Sequence, residues 1–139
     1  MDRLSPRMQG DLGELSAMQW LVWQGYSLYL PVGHSPDVDL IAERDGELLR
    51  VQVKTSTVYR GGRWEVTIAT RGGNQSWSGL VKRFSPRRCD RLFVLVADGR
   101  RWFIPARDVA ATSGLRLGGP KYAAYKIQPG SPLPVAATG

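Results

Sequence analysis

From Leu12 to Trp23 apolar side chains and helix formers recur at a helical period, and the pattern stops at Gly25-Tyr26. This predicts a helix opened by Asp11 or Gly10. Glu14 shares a face with Ala17, Met18 and Leu21, at spacings of three, four and seven, so its carboxylate turns toward the core side. A carboxylate there needs a partner, either an arginine or a metal and its water. Gly10 and Gly13, one turn apart, let the helix come close to a sheet. Two apolar runs follow, joined by Glu43-Arg44-Asp45-Gly46-Glu47-Leu48, and Asp45-Gly46 sits where a two-residue hairpin turn belongs. With that loop, paired residue numbers sum to 91. Asp39 then lies opposite Gln52 and Asp37 opposite Lys54, with Cβ atoms roughly 5 Å apart. Gln52 and Lys54 share one face of their strand, while Leu49, Val51 and Val53 line the other.

A carboxylate, an amide oxygen and an ammonium thus converge on one patch. Hard oxygen ligands that hold Mg²⁺ at about 2.1 Å, beside a cation for the attacked phosphate, are what a metal-dependent phosphodiesterase needs. The plainer alternative is a solvated sheet face with ordinary polar residues. Asp37, in the literal Pro36-Asp37 pair, has the same strand parity as Asp39 and stands as a second ligand or a substitute for it.

These residues resemble the PD-(D/E)xK nuclease superfamily, and within it the group that includes a cyanobacterial group I intron homing endonuclease. The likeness rests on GDLGE (Gly10 to Glu14), Gly25-Tyr26, VDLI (Val38 to Ile41) and RVQVKTS (Arg50 to Ser56), with a weaker match in CDRLFVLV and WFIPARDV. It implies an α/β fold with an αβββαβ core around a central mixed sheet, divalent-metal dependence and hydrolysis of DNA phosphodiesters. The chain thus reads as a Mg²⁺-dependent endonuclease of double-stranded DNA, with Mn²⁺ as a substitute; the alternatives are a structure-selective, junction-resolvase-like nuclease or a DNA-binding module on the same fold without chemistry. The resemblance further implies acidic roles for Glu14 and Asp39, Gln52 where other members carry an acid, Lys54 as catalytic lysine, and the Val53 carbonyl as a metal ligand.

The chain's 139 residues and 42% apolar content fit a single globular domain, assigned to residues 1–127. No run approaches the roughly 18 to 20 apolar residues of a membrane span and no signal-peptide pattern opens the chain, so the expected location is cytoplasmic. Cys89 is the sole cysteine, which excludes an internal disulfide and a thiolate zinc site; His34 is the sole histidine.

The net charge of +7 is uneven. Residues 1–59 carry 5 basic and 8 acidic side chains, residues 60–107 carry 11 and 3, and residues 108–139 carry 3 and 1. An acidic pocket for cations beside a basic surface for a polyanion suits a nuclease. Arg60-Gly61-Gly62-Arg63 reads as a turn into a strand Trp64 to Thr70, with Arg60 and Arg63 as DNA-contact candidates. Residues 71–79 read as a loop in which Arg71, Asn74, Gln75 and Trp77 are DNA-contact candidates, against the alternative of an ordinary surface loop. Lys82, Arg83, Arg87 and Arg88 form the densest basic cluster, placed on a short helix and its exit and assigned to phosphates.

Further strands are expected at Leu92 to Ala97 and Arg101 to Ile104 around an Asp98-Gly99 turn, then a short helix starting at Asp108. Residues 128–139, rich in Pro and Gly, read as a disordered tail. Cutting two antiparallel strands with one site per chain calls for a homodimer or homotetramer.

Overall fold

The computed structural model describes residues 4–33, 35, 37–71 and 81–134, with Thr70, Arg71 and Val81 described by backbone alone. Helix α1 (Pro6–Trp23) begins six residues before Leu12. Ser5 is its cap, with Oγ accepting from the Met8 N–H at 3.1 Å, and Pro6 supplies a preset φ where no amide donor is needed. Those two residues outweigh the weaker start signals at Gly10 and Asp11. Gly13, Ala17 and Leu21 form its buried face.

The strands are β1 (Ser27–Tyr29), β2 (Leu40–Arg44), β3 (Glu47–Ser56), β4 (Val58–Arg60), β5 (Arg63–Thr67), β6 (Thr70–Arg71), β7 (Val81–Lys82), β8 (Arg91–Val96), β9 (Arg101–Pro105), β10 (Gly114–Leu117) and β11 (Lys126–Ile127). A six-stranded sheet runs β1-β2-β3-β8-β9-β11, parallel between β3 and β8 and antiparallel elsewhere. The sheet is mixed, as expected.

Asp45 and Gly46 adopt φ of 54° and 82°, the left-handed pair that matches a hairpin's twist, and the register runs from Arg44↔Glu47 to Leu40↔Val51. The turn chemistry therefore set the pairing. Ala17 and Leu21 of α1 pack with Leu40, Ala42, Val51, Phe93 and Leu95 on one face of the sheet. On the other face, Trp64, Val66, Leu115 and Leu117 of the small sheet β10-β5-β4 cover Leu92, Val94, Trp102 and Ile104.

Strands β4 to β7 and a turn through Arg88 occupy the described part of the connection from β3 to β8, where the αβββαβ core has its second helix. Two expectations give way. Lys82 lies in β7, and the Arg87 N–H bonds Ser85 Oγ, so Ser85-Pro86 folds the basic cluster into a turn instead of a short helix. After Pro105 a single 3₁₀ turn (Ala106–Asp108) ends in extended Val109, where a helix from Asp108 was expected.

Residues 128–134, read above as disordered, pack against the end of the sheet. The Gly130 and Leu133 amides donate to Gly99 O and Ala97 O, and Leu133 is buried. The buried Arg101 accounts for this: its guanidinium donates to Gln128 O, Ser16 O, Ser16 Oγ and Gln19 Oε1, so tail and helix satisfy a charge that burial would otherwise penalise.

Gly13 sets the distance between α1 and β3. A Cβ there would lie 2.4 Å from Thr55 Cγ2 and 3.3 Å from Val53 Cγ1. Gly10 has no such neighbour, so only one of the two glycines serves close approach. Gly13→Ala is expected to lower stability by about 1–3 kcal/mol through overpacking, read from denaturant melts.

Candidate active site

The site forms where β2 begins beside the middle of β3. The Asp39 amide donates to Val51 O at 2.9 Å, and Asp39 Oδ2 accepts from the Val53 amide at 2.6 Å. A side chain thus continues the ladder that β2 would otherwise have supplied, and this anchors the carboxylate. Backbone groups alternate sides along a strand, so the Val53 carbonyl faces the same gap as its amide.

Close packing at Gly13 brings the next residue, Glu14, to this gap from the helix side. Gln9 Nε2 donates to Thr55 Oγ1 at 3.0 Å and ties the first half of α1 to the same strand. Burial, then the charges of Asp39 and Asp11, raise the Glu14 pKa above the usual carboxylate range. Lys54, on β3, is half-buried; burial lowers its pKa, opposed by the carboxylates of Asp39 and Asp37. The structure therefore gathers Glu14, Asp39, the Val53 carbonyl and Lys54.

Gln52 is placed differently. It shares the Lys54 face but is only 5% exposed, and Cys89 Sγ donates to its Oε1 at 3.9 Å. Burial raises the Cys89 thiol to about 11, so it remains protonated at neutral pH. Cys89 was not foreseen as a neighbour of Gln52, because it precedes β8 and no short-range pattern links the two.

Asp37 does not continue β2 opposite Lys54. Its Oδ2 accepts from Lys82 Nζ at 2.8 Å and its Oδ1 pairs with Arg88 Nε at 3.3 Å. Among the other basic candidates, Arg83 and Arg87 are exposed, Arg60 pairs loosely with Glu65 at 3.6 Å, and Arg63 donates to Gly62 O at 3.1 Å. Arg71 lies in β6, while His34, Asn74, Gln75 and Trp77 lie outside the described residues. Asp90 is the partner of Arg50, whose backbone and guanidinium donate to it at 2.8–3.1 Å.

The donor set suits a hard divalent cation, since two carboxylates and a backbone carbonyl turn to one gap and the charge of Glu14 is disfavoured there by burial and then by its acidic neighbours. Among the described residues no three His, Cys, Asp or Glu side chains cluster as a ready ligand set. An amide or backbone oxygen has to complete it.

A fold with a mixed sheet, an acidic gap at a strand pair and a lysine two residues along the strand defines a nuclease class, and residues 4–122 match the model of the PD-(D/E)XK endonuclease family. The chain belongs to that family. Its structure is similar to that of a bacterial homing endonuclease, I-Ssp6803I, with a TM-score of 0.67 and 21% identity over 88% of this chain and 86% of the other. At that identity the likeness establishes a shared fold. No curated protein matches the chain.

Proposed function

We propose that the chain is a DNA endonuclease of the site-specific homing type that depends on Mg²⁺, with Mn²⁺ able to take its place. The observation that carries this is the meeting of Asp39, tethered to Val53, with Glu14 and the half-buried Lys54. Asp39, Glu14 and the Val53 carbonyl would hold the cation, joined by the Gln52 amide oxygen only if it is released from Cys89, and the cation would supply charge stabilisation at phosphate oxygens and an activated water.

Lys54 faces the attacked phosphate. Its half-buried ammonium offsets charge that develops on the phosphoryl oxygens and donates a hydrogen bond that orients the attacking water, and its lowered pKa makes proton exchange with that water less costly than for a surface lysine. In the hydrolysis one P–O bond forms from water and one P–O ester bond breaks, the departing oxygen taking a proton. Plasmid cleavage with and without Mg²⁺ tests the reading. Intact plasmid in both would remove it, and the buried Gln52 facing Cys89 would then favour a DNA-binding module without chemistry.

Glu14 gives a pH test independent of DNA. Its raised pKa means that the folded chain holds the proton more tightly than the unfolded chain, so its stabilising share is present below the ordinary carboxylate pKa and lost as pH rises through the folded value. Glu14→Gln is expected to melt higher than the parent at pH 7 and to lose that advantage at pH 3. Mg²⁺ at pH 7 is expected to raise the melting temperature of the parent more than that of the variant.

For assembly, the reading calls for a homodimer or homotetramer on DNA. Met8, Leu15 and Val22, seven apart on α1, are each more than half exposed and form an apolar stripe, whereas Leu115, Leu117 and Tyr122 are spent in the core. Light scattering at micromolar concentration is expected to give at least twice the chain mass; a monomer that makes double-strand breaks in one encounter would refute it. None of the described helices is long and apolar enough to cross a membrane, and the cytoplasm is the proposed location.

A further inference from the structure

The aspartate of the literal Pro-Asp pair has a use that metal binding does not explain. Asp37 is only 19% exposed at its side chain, and both of its oxygens are taken by cations: Oδ2 by Lys82 Nζ at 2.8 Å and Oδ1 by Arg88 Nε at 3.3 Å. Lys82 and Arg88 come from opposite ends of the β7-to-β8 turn, and Arg88 also donates through Nη2 to Arg83 O, which fixes its guanidinium. Asp37, Gln52, Lys82, Arg83 and Arg88 line one crevice too tight to hold a water. Asp39, which lies in the proposed metal gap, follows Asp37 by two residues on the same segment.

We propose that Asp37 is a positioning residue that acts as an internal stand-in for a DNA phosphate, holding Lys82 and Arg88 side by side until a backbone phosphate displaces it. This rests on the nuclease reading above. A carboxylate and a phosphate present the same chemistry to an ammonium and a guanidinium, namely anionic oxygens that accept charge-assisted hydrogen bonds. The carboxylate bears one charge and is covalently tied to its loop. A phosphate diester at the same place brings no net loss of ion pairing, so the cations need no reordering to receive it. Displacement frees Asp37 and the loop that carries Asp39, which links phosphate binding at the basic turn to the placement of the acidic site.

A ligand and a stand-in respond oppositely to Asp37→Asn. If Asp37 competes with phosphate, the variant binds duplex DNA several-fold more tightly in EDTA, its plot of log K against log salt steepens by about one unit, and the Mg²⁺ concentration for half-maximal cleavage stays within twofold. Unchanged DNA affinity and slope, with a tenfold higher Mg²⁺ requirement, would overturn the proposal and make Asp37 a metal ligand. A change that merely loosens the fold would lower DNA affinity, and that result also overturns it. Arg88→Gln in the same background separates this inference from the nuclease reading: with Asp37 already removed, Arg88→Gln is expected to lower DNA affinity, and with Asp37 present the two substitutions are expected to be non-additive in thermal melts without DNA. Additive melts mean that the ion pair is not coupled and sink the proposal. Coupled melts and tighter binding by Asp37→Asn, in a protein that cleaves nothing, would keep the phosphate stand-in and remove only the nuclease reading.

Discussion

Asp39→Asn or Lys54→Met is expected to lower DNA cleavage by about two orders of magnitude or more while leaving DNA affinity within a few fold. Each replaces a charge in the gap by a neutral group of similar size. Asn at 39 keeps an oxygen that can accept from the Val53 amide, so the 2.6 Å tether has a substitute and the loss reports on charge. Met at 54 keeps the aliphatic stem and removes the ammonium whose pKa burial has lowered. Because that ammonium costs stability where it is buried, Lys54→Met is expected to melt no lower than the parent at pH 7, so lost cleavage cannot be assigned to unfolding. Gel-shift titration in EDTA and single-turnover cleavage in Mg²⁺ separate the two quantities. Equal cleavage by either variant would remove that residue from the reaction.

What made this site legible in the sequence was turn chemistry. Asp45-Gly46 permits one tight turn, that turn fixes the register of β2 against β3 as far as Leu40 opposite Val51, and this brings the next residue, Asp39, beside β3, where it bonds Val51 O and the Val53 amide. The helical period likewise put Glu14 on the face of Ala17 and Leu21. Extrapolating the same register by two residues fails at Asp37, because β2 starts at Leu40 and Asp37 is drawn to Lys82 and Arg88 from a distant turn. Strand parity describes a residue only while the strand lasts. The tail failed for a related reason: Pro and Gly content signals disorder on average, but a buried Arg101 that lacks local acceptors recruits Gln128 O and orders the segment. The partner of Gln52 was hidden too, since Cys89 reaches it from the segment just before β8, and the long connection between β3 and β8 leaves no local trace.

Replacing Lys82, Arg83, Arg87 and Arg88 together by alanine is expected to flatten the slope of log K against log salt by about three to four units, since each phosphate neutralised contributes roughly 0.9. Arg83 and Arg87 are exposed, Lys82 and Arg88 are held in place by Asp37, and the four run from the end of β7 through the turn that leads to β8. The slope is the decisive quantity, because loss of folding would weaken binding without a defined dependence on salt. Adding Asp37→Asn to the quadruple variant removes the carboxylate that the substitutions leave without its two cations, and it should leave the flattened slope where it is. Asn74 and Gln75, on the loop assigned to base contact, supply the contrast: alanine at both is expected to change sequence preference while the salt slope stays within about one unit. A quadruple variant with the parental slope would mean that the turn faces solvent when DNA is bound.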